Sequence, residues 1–157
     1  MNQVIYPGTF DPPHLGHLDI VKRVSCIFDK VFIAIAKNPH KNPMFEANFR
    51  KNLFDKILKA ENLKNVYVEI FDTTLVEYAK SKDIKLVIRG VRLFTDFEYE
   101  LQISMSNYIL GGLETLFMMP SQEYIHISST IVRDLIRYKS SLKGFVHPII
   151  EKDILLS

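Results

Sequence analysis

Side chains able to hold phosphate gather in four short strings of this 157-residue chain. They are Gly8-Thr9-Phe10-Asp11-Pro12-Pro13-His14-Leu15-Gly16-His17, Lys37-Asn38-Pro39-His40-Lys41, Arg89-Gly90-Val91-Arg92 and Ser128-Ser129-Thr130. Lys and Arg bind phosphate by charge, and His, Ser and Thr by neutral hydrogen bonds. The chemistry this set suits is the handling of a polyphosphate. The strings are not the common ones: no Gly-Lys-Ser/Thr, no G-x-G-x-x-G and no H-E-x-x-H is present. Asp11, His14 and His17 are metal-ligand types, but three in seven residues at the entry to a helix form a weak pattern, and no protein-held metal is expected. The single cysteine, Cys26, excludes a disulfide framework and a cysteine zinc site, and its helical position predicts a small core residue.

The elements that must position these strings alternate between short apolar runs and amphipathic stretches. Gln3–Tyr6, Val31–Ala36, Val66–Phe71, Leu86–Ile88 and Thr115–Met119 read as strands. Helices are expected over Leu18–Phe28, around Phe49–Leu58, over Leu75–Ser81, from Phe97 to Gly111-Gly112, over Ile131–Tyr138 and over Pro148–Leu156. Thr95-Asp96-Phe97-Glu98 fits a capping box at the start of the fourth. Strands alternating with helices predict one α/β domain over residues 1–157: a Rossmann-like, doubly wound, five-stranded parallel sheet with helices on both faces. In such a sheet ligands sit beyond the carboxyl ends of the strands, where all four strings fall. Two helix N-termini, after Pro13 and after Ser128, add their free N–H groups and dipoles.

Composition excludes several classes. With 47% hydrophobic and 24% charged residues the chain is neither disordered nor of low complexity. Its net charge of +2 and lack of a basic stripe with interleaved aromatics argue against nucleic-acid binding. The longest apolar run, Val31–Ala36, is far short of a membrane span, and the N-terminus has no signal-peptide pattern, so a cytoplasmic protein is expected.

His14-Leu15-Gly16-His17 resembles the HIGH motif of class I aminoacyl-tRNA synthetases and their small nucleotidyltransferase relatives. Tyr6-Pro7-Gly8-Thr9-Phe10-Asp11-Pro12, Asn42-Pro43-Met44-Phe45, Ile88-Arg89-Gly90-Val91-Arg92 with Asp96-Phe97-Glu98-Tyr99-Glu100-Leu101-Gln102, and Ile127-Ser128-Ser129-Thr130-Ile131-Val132-Arg133 keep the order and spacing of the phosphopantetheine adenylyltransferase family. The resemblance implies transfer of AMP from ATP to 4′-phosphopantetheine, giving dephospho-coenzyme A and pyrophosphate in coenzyme A biosynthesis. It implies Mg²⁺ held mainly through the ATP phosphates, a homohexamer, and possible feedback binding of coenzyme A.

Carried over residue by residue, the resemblance assigns ATP to Thr9, Phe10, His17, Gly90, Val91, Arg92, Glu100 and the run Tyr124, Ile125, His126, Ile127, Ser128, Ser129, Thr130. It assigns the acceptor to Thr9, Lys41, Leu75 and Arg89, and makes His17, Lys41 and Arg92 the catalytic group. Plainer readings stand beside these. His17 could be a helix-start histidine bonded to backbone, Lys41 a solvated loop lysine, Glu100 an exposed helix carboxylate, and Ser128 and Ser129 helix caps. The loop Asp11-Pro12-Pro13-His14 departs from the family's usual form and resembles that of nicotinate mononucleotide adenylyltransferases, which supplies the alternative reading. The role of His14 is left open by the sequence.

Overall fold

The computed structural model describes residues 2–37 and 42–157. Lys41 and the Asn38–Pro39–His40 segment before it lie outside the described residues. Five strands, β1 (Gln3–Gly8), β2 (Lys30–Ala36), β3 (Val66–Phe71), β4 (Leu86–Gly90) and β5 (Glu114–Met118), form one sheet in the order β3-β2-β1-β4-β5. Every neighbouring pair is parallel. The helices are α1 (Leu15–Ser25), α2 (Ala47–Ala60), α3 (Leu75–Ser81), α4 (Phe94–Gly111), α5 (Ser129–Arg137) and α6 (Pro148–Leu155). A parallel neighbour cannot be reached by a tight turn, so each crossover carries a helix to one face of the sheet.

The side-chain alternation of the strands feeds two cores. Val4, Tyr6, Ile33 and Ile35 face the larger one, closed by α1, α2, α5 and α6. Ile5, Ala34 and Val87 face the smaller one, closed by Val76 and Ala79 of α3 and by Leu113. Both faces are therefore covered, as the unbroken apolar run Val31–Ala36 requires.

Three local expectations are corrected. Helix α1 begins at Leu15 rather than Leu18, because His14 caps it. The capping box at Thr95 does not form: the cap is Leu93, two residues earlier, which offers no side-chain bond, and α4 starts at Phe94. Cys26 is exposed rather than a core residue, since α1 ends at Ser25 and the chain turns outward, leaving Ile27 exposed as well. Helix α4 buries none of its residues within the chain: Phe94 is 86% and Ile109 78% exposed, with Tyr99, Met105, Tyr108 and Leu110 also open. That face continues onto Leu116 of β5 and Met119 just beyond it. Among the described residues no helix is long and apolar enough to cross a membrane.

Candidate active site at the strand-order reversal

Strand β1 lies between β2 and β4, and the crossover leaving β1 runs to β2 while the one leaving β4 runs the opposite way, to β5. The segments after β1 and β4 diverge and open a cavity of about 410 Å³ at their carboxyl ends. Its walls include Thr9, Phe10, His17, Arg92, Ser128 and Ser129, with Gly90, Arg89 and Glu100 beside them. Residues from the first, third and fourth strings thus converge on one space, while Lys37, the one described residue of the second, pairs with Asp72 at 3.9 Å.

The turn out of β1 is tightly set. Phe10 holds the left-handed conformation, φ 51°, which costs a residue with a side chain roughly 1–2 kcal/mol. Its ring compensates by packing edge-on against Tyr6, His17 and Phe54, at centroid distances of 5.2, 4.8 and 5.1 Å. A Cβ on Gly8 would stand 2.8 Å from that ring, so the position has room only for glycine.

His14 and His17 close the first turn of α1 as a reciprocal pair. The His17 N–H donates to Nδ1 of His14 at 3.3 Å, and the His14 N–H donates to Nδ1 of His17 at 3.2 Å. The rings stack at 3.5 Å between centroids, 18° apart in plane. With both Nδ1 atoms accepting, each neutral ring carries its proton on Nε2, and His17 lines the cavity as a donor without charge. Burial, the His14 ring and the Arg92 guanidinium hold the His17 pKa well below its ordinary 6.5, in that order. Burial, then Arg92, lowers that of His14 to about 3. His17 is thus both the cavity residue the motif implies and the backbone-bonded helix-start histidine of the plainer reading. The same holds for Ser128, whose hydroxyl accepts from the Ile131 N–H at 3.1 Å while the residue lines the cavity. The amides of Gly16 and Ser129 reach no acceptor among the described residues and stand at the wall.

Arg89 and Glu100 form one unit. The guanidinium donates from Nε and Nη2 to the two Glu100 oxygens at 2.5 and 2.6 Å, and from Nη1 to the Pro7 carbonyl at 3.0 Å. Glu100 lines the cavity, yet its carboxylate is engaged by Arg89, which makes it an orienting partner of that arginine. Arg92 makes a long ion pair to Asp96, 3.6 Å, its only one among the described residues, and lines the cavity.

Two further chambers meet the first at Thr9. One, of about 820 Å³, runs from Thr9 and Arg89 to Leu75, Thr74, Ile103 and Asn107, so Leu75 does share a space with Arg89. Its floor is set by α3, where Thr74 and Glu77 form a capping box that the sequence reading had not singled out. The other, of about 610 Å³, is bounded by Asn42, Pro43, Met44, Arg133 and Arg137. The rest of the ATP run is set back. Ile127 is fully buried in the larger core, His126 lies edge-on to Phe145, and the Thr130 hydroxyl accepts from Arg133 at 3.2 Å. Tyr124 and Ile125 belong to and follow a short 3-10 turn, and none of Tyr124–Ile127 lines the three chambers. Val91 is buried and its N–H donates to the Met118 carbonyl at 2.9 Å, so it pins β4's exit to β5.

Sequence reasoning missed the residues that hold these walls. The buried Asp11 carboxylate accepts from the Met44 and Phe45 N–H groups at 2.7 and 2.9 Å, which turns it toward backbone rather than a metal. Asp19 accepts from the amide and hydroxyl of Ser121 at 2.8 and 2.7 Å, and Arg23 donates to the Met119 carbonyl at 2.7 Å, tying α1 to the exit of β5. Arg50 is fully buried under the β1 and β2 exits. Its signal was present: positions 50, 53, 54, 57 and 58 share one helix face, and a cation on an apolar stripe needs a buried partner. Among the described residues no group of three His, Cys, Asp or Glu side chains is placed to hold a metal ion.

A model of the cytidylyltransferase-like family matches residues 5–135. Among curated relatives, a phosphopantetheine adenylyltransferase of Aquifex aeolicus is 57% identical over 152 residues, 97% of this chain and 93% of the relative. One of Campylobacter curvus is 49% identical over 143 residues, 90% of each chain. Among solved structures, a putative nicotinate-nucleotide adenylyltransferase from Vibrio parahaemolyticus superposes with a TM-score of 0.74 at 20% identity, over 99% of this chain and 93% of the other. The Plasmodium falciparum nicotinic acid mononucleotide adenylyltransferase, complexed with NaAD, gives 0.75 at 15%, over 99% and 94%. These two establish the fold alone. The chain belongs to the cytidylyltransferase-like family, and within it to the phosphopantetheine adenylyltransferases.

The histidine pair makes stability fall in acid. A histidine whose folded pKa lies below its unfolded value stabilises fully above about 6.5 and loses that contribution as pH falls toward the folded value, about 3 for His14. Urea melts between pH 7 and 4 should show a slope approaching about 1.4 kcal/mol per pH unit for each such histidine. His14→Thr keeps a capping oxygen and should flatten the slope; an unchanged slope would mean that the pair does not control it.

Proposed function

We propose that this chain transfers the adenylyl group of ATP to the phosphate of 4′-phosphopantetheine, releasing pyrophosphate and forming dephospho-coenzyme A, a step of coenzyme A biosynthesis. The observation that carries the reading is the junction at Thr9 and Arg89 of two chambers of different character. The first offers His17, Arg92 and the α5 N-terminus, a wall suited to a triphosphate. The second is long, with Leu75 and Ile103 among hydroxyl and amide groups, a wall suited to a pantetheine arm. The relatives that are 57% and 49% identical to this sequence carry the corresponding name.

In the proposed reaction an oxygen of the acceptor phosphate attacks the α-phosphorus of ATP, and the bond from that phosphorus to the bridging oxygen breaks as pyrophosphate departs. A phosphate dianion is already nucleophilic, so no side-chain nucleophile or base is needed. What the protein supplies is the approach of two anions that repel. Thr9 and Arg89, with Lys41 from the family pattern, hold the acceptor. His17, Arg92, Ser128 and the Ser129 amide hold the nucleotide phosphates. Fixing both reactants can lower the barrier by roughly 7–11 kcal/mol, and donors aimed at the departing charge add several more. Mg²⁺ would be carried by the ATP phosphates and water and would neutralise charge on the leaving group.

Three wider features belong to the same reading. The open apolar face of α4 and β5 suits burial against other copies, in keeping with a homohexamer. Coenzyme A, which contains both the arm and a nucleotide, would occupy the joined chambers as a feedback ligand. A cytoplasmic location fits an enzyme consuming ATP.

The test is pyrophosphate release from ATP and Mg²⁺, with 4′-phosphopantetheine and nicotinate mononucleotide offered in parallel. Release with phosphopantetheine alone is expected. Release with the mononucleotide alone would show that the Asp-Pro-Pro-His loop, not the Arg89 chamber, selects the acceptor.

A further inference from the structure

Arg50 is the most deeply buried cation among the described residues, and no reaction step uses it. Its guanidinium gathers three backbone carbonyls from three separate segments. Nε donates to Phe45 at 2.8 Å, and Nη1 donates to Ala36 at 3.1 Å and to Thr9. These are the residue that ends β2, the residue that follows β1 and the second residue before α2. Nη2 is buried and has no partner among the described residues. Every hydrogen bond it makes among the described residues goes to a neutral carbonyl, and the carboxylates of Asp11 and Glu46 act on it only across a distance. Burial lowers the Arg50 pKa, against the opposing pull of Asp11 and Glu46.

The placement favours the acceptor side: Thr9 and Ala36, two of the three residues whose carbonyls Arg50 holds, both line the chamber that runs to Leu75. Thr9 lines all three chambers, and the Met44–Phe45 turn is held from both ends, its amides by Asp11 and the Phe45 carbonyl by Arg50. The nucleotide wall is held by other means: the histidine pair, the Ser128 cap and the Asp19–Ser121 bonds. Arg50 reaches none of these. A lysine there would keep the charge but lack the planar fork that reaches three carbonyls at once.

We propose that Arg50 is a positioning residue for the acceptor side of the site: without touching a substrate, it fixes the Thr9 backbone against the Met44–Phe45 turn and so sets the affinity for the acceptor phosphate while leaving ATP binding to the opposite wall. The proposal rests on the adenylyltransferase reading above. It separates Arg50 from residues that merely hold the fold, because a general loss of structure would weaken both substrates together.

The experiment is steady-state kinetics of full-length R50K with each substrate varied, beside calorimetry of ATP binding and a thermal melt. Losing the shared hydrogen bonds should raise KM for 4′-phosphopantetheine about tenfold, with KM and Kd for ATP within about twofold. Equal rises for both substrates, or a fall in kcat alone that tracks the folded fraction, would overturn the proposal. D11N, which loosens the other end of the same turn, should give the same split even where R50K does not fold, and an unchanged acceptor KM in D11N would also overturn it. Should the wild type release no pyrophosphate with phosphopantetheine, the substrate reading fails on its own. Hydrogen exchange then decides on Arg50: R50K, or D11N in its place, should speed exchange at the Met44 and Phe45 amides with ATP affinity unchanged, and unaltered exchange would contradict the proposal.

Discussion

The reversal of strand order beside β1 is the constraint on which the other features depend. In the order β3-β2-β1-β4-β5 the crossovers diverge from the β1–β4 pair, so no helix can cover the carboxyl ends of both strands. The gap is filled from below by backbone turns and from the sides by two helix N-termini. The Arg89–Pro7 bond of 3.0 Å spans it, one strand's side chain on its neighbour's carbonyl. Because both strands are buried on both faces, the turns leaving them inherit the rigidity of the sheet, and a fixed distance between two phosphates is what direct transfer between them requires.

The charge pattern within this frame is selective. A chain of net charge +2 concentrates Arg89, Arg92, Arg133 and Arg137 on the walls of joined chambers. The histidines between them stay neutral, held so by burial and by each other's backbone. Arginine supplies charge that pH cannot remove, and the histidine pair supplies a directed N–H whose tautomer is set by the helix cap. Glu100 orients Arg89 through a two-pronged pair, so the guanidinium is preorganised before a substrate arrives.

Much of this was legible in the sequence, for a physical reason. Strand-end strings are short, local and rich in residue types with few other uses, so Thr9, His17, Arg89, Arg92 and Ser128-Ser129 could be placed together once the strands were recognised. What escaped did so for several physical reasons. His14 gave no sign of being a cap, since histidine is a rare one and its partner ring comes from the same turn. Thr95 fits the local pattern of a cap, yet the helix starts at Phe94, where the Leu93 carbonyl accepts from the Asp96 and Phe97 amides. Cys26 and Ile27 fall on the apolar phase of α1 but lie past its end at Ser25, where the phase no longer applies. Arg50 was visible as a cation on an apolar stripe, but the three carbonyls it meets lie 5, 14 and 41 residues away. The open face of α4 carries the same kinds of residues as a buried one, and only the fold distinguishes them.

The central claim is that two held phosphates react directly, with no side chain forming an intermediate. The most direct measurement uses ATP carrying a chiral phosphorothioate at the α-position and determines the configuration at phosphorus in the dephospho-coenzyme A product. A single in-line displacement inverts that centre, and inversion is the outcome expected here. Retention would require two displacements through a nucleotidyl-protein intermediate, and would contradict an account in which the walls of the cavity position and neutralise but do not attack.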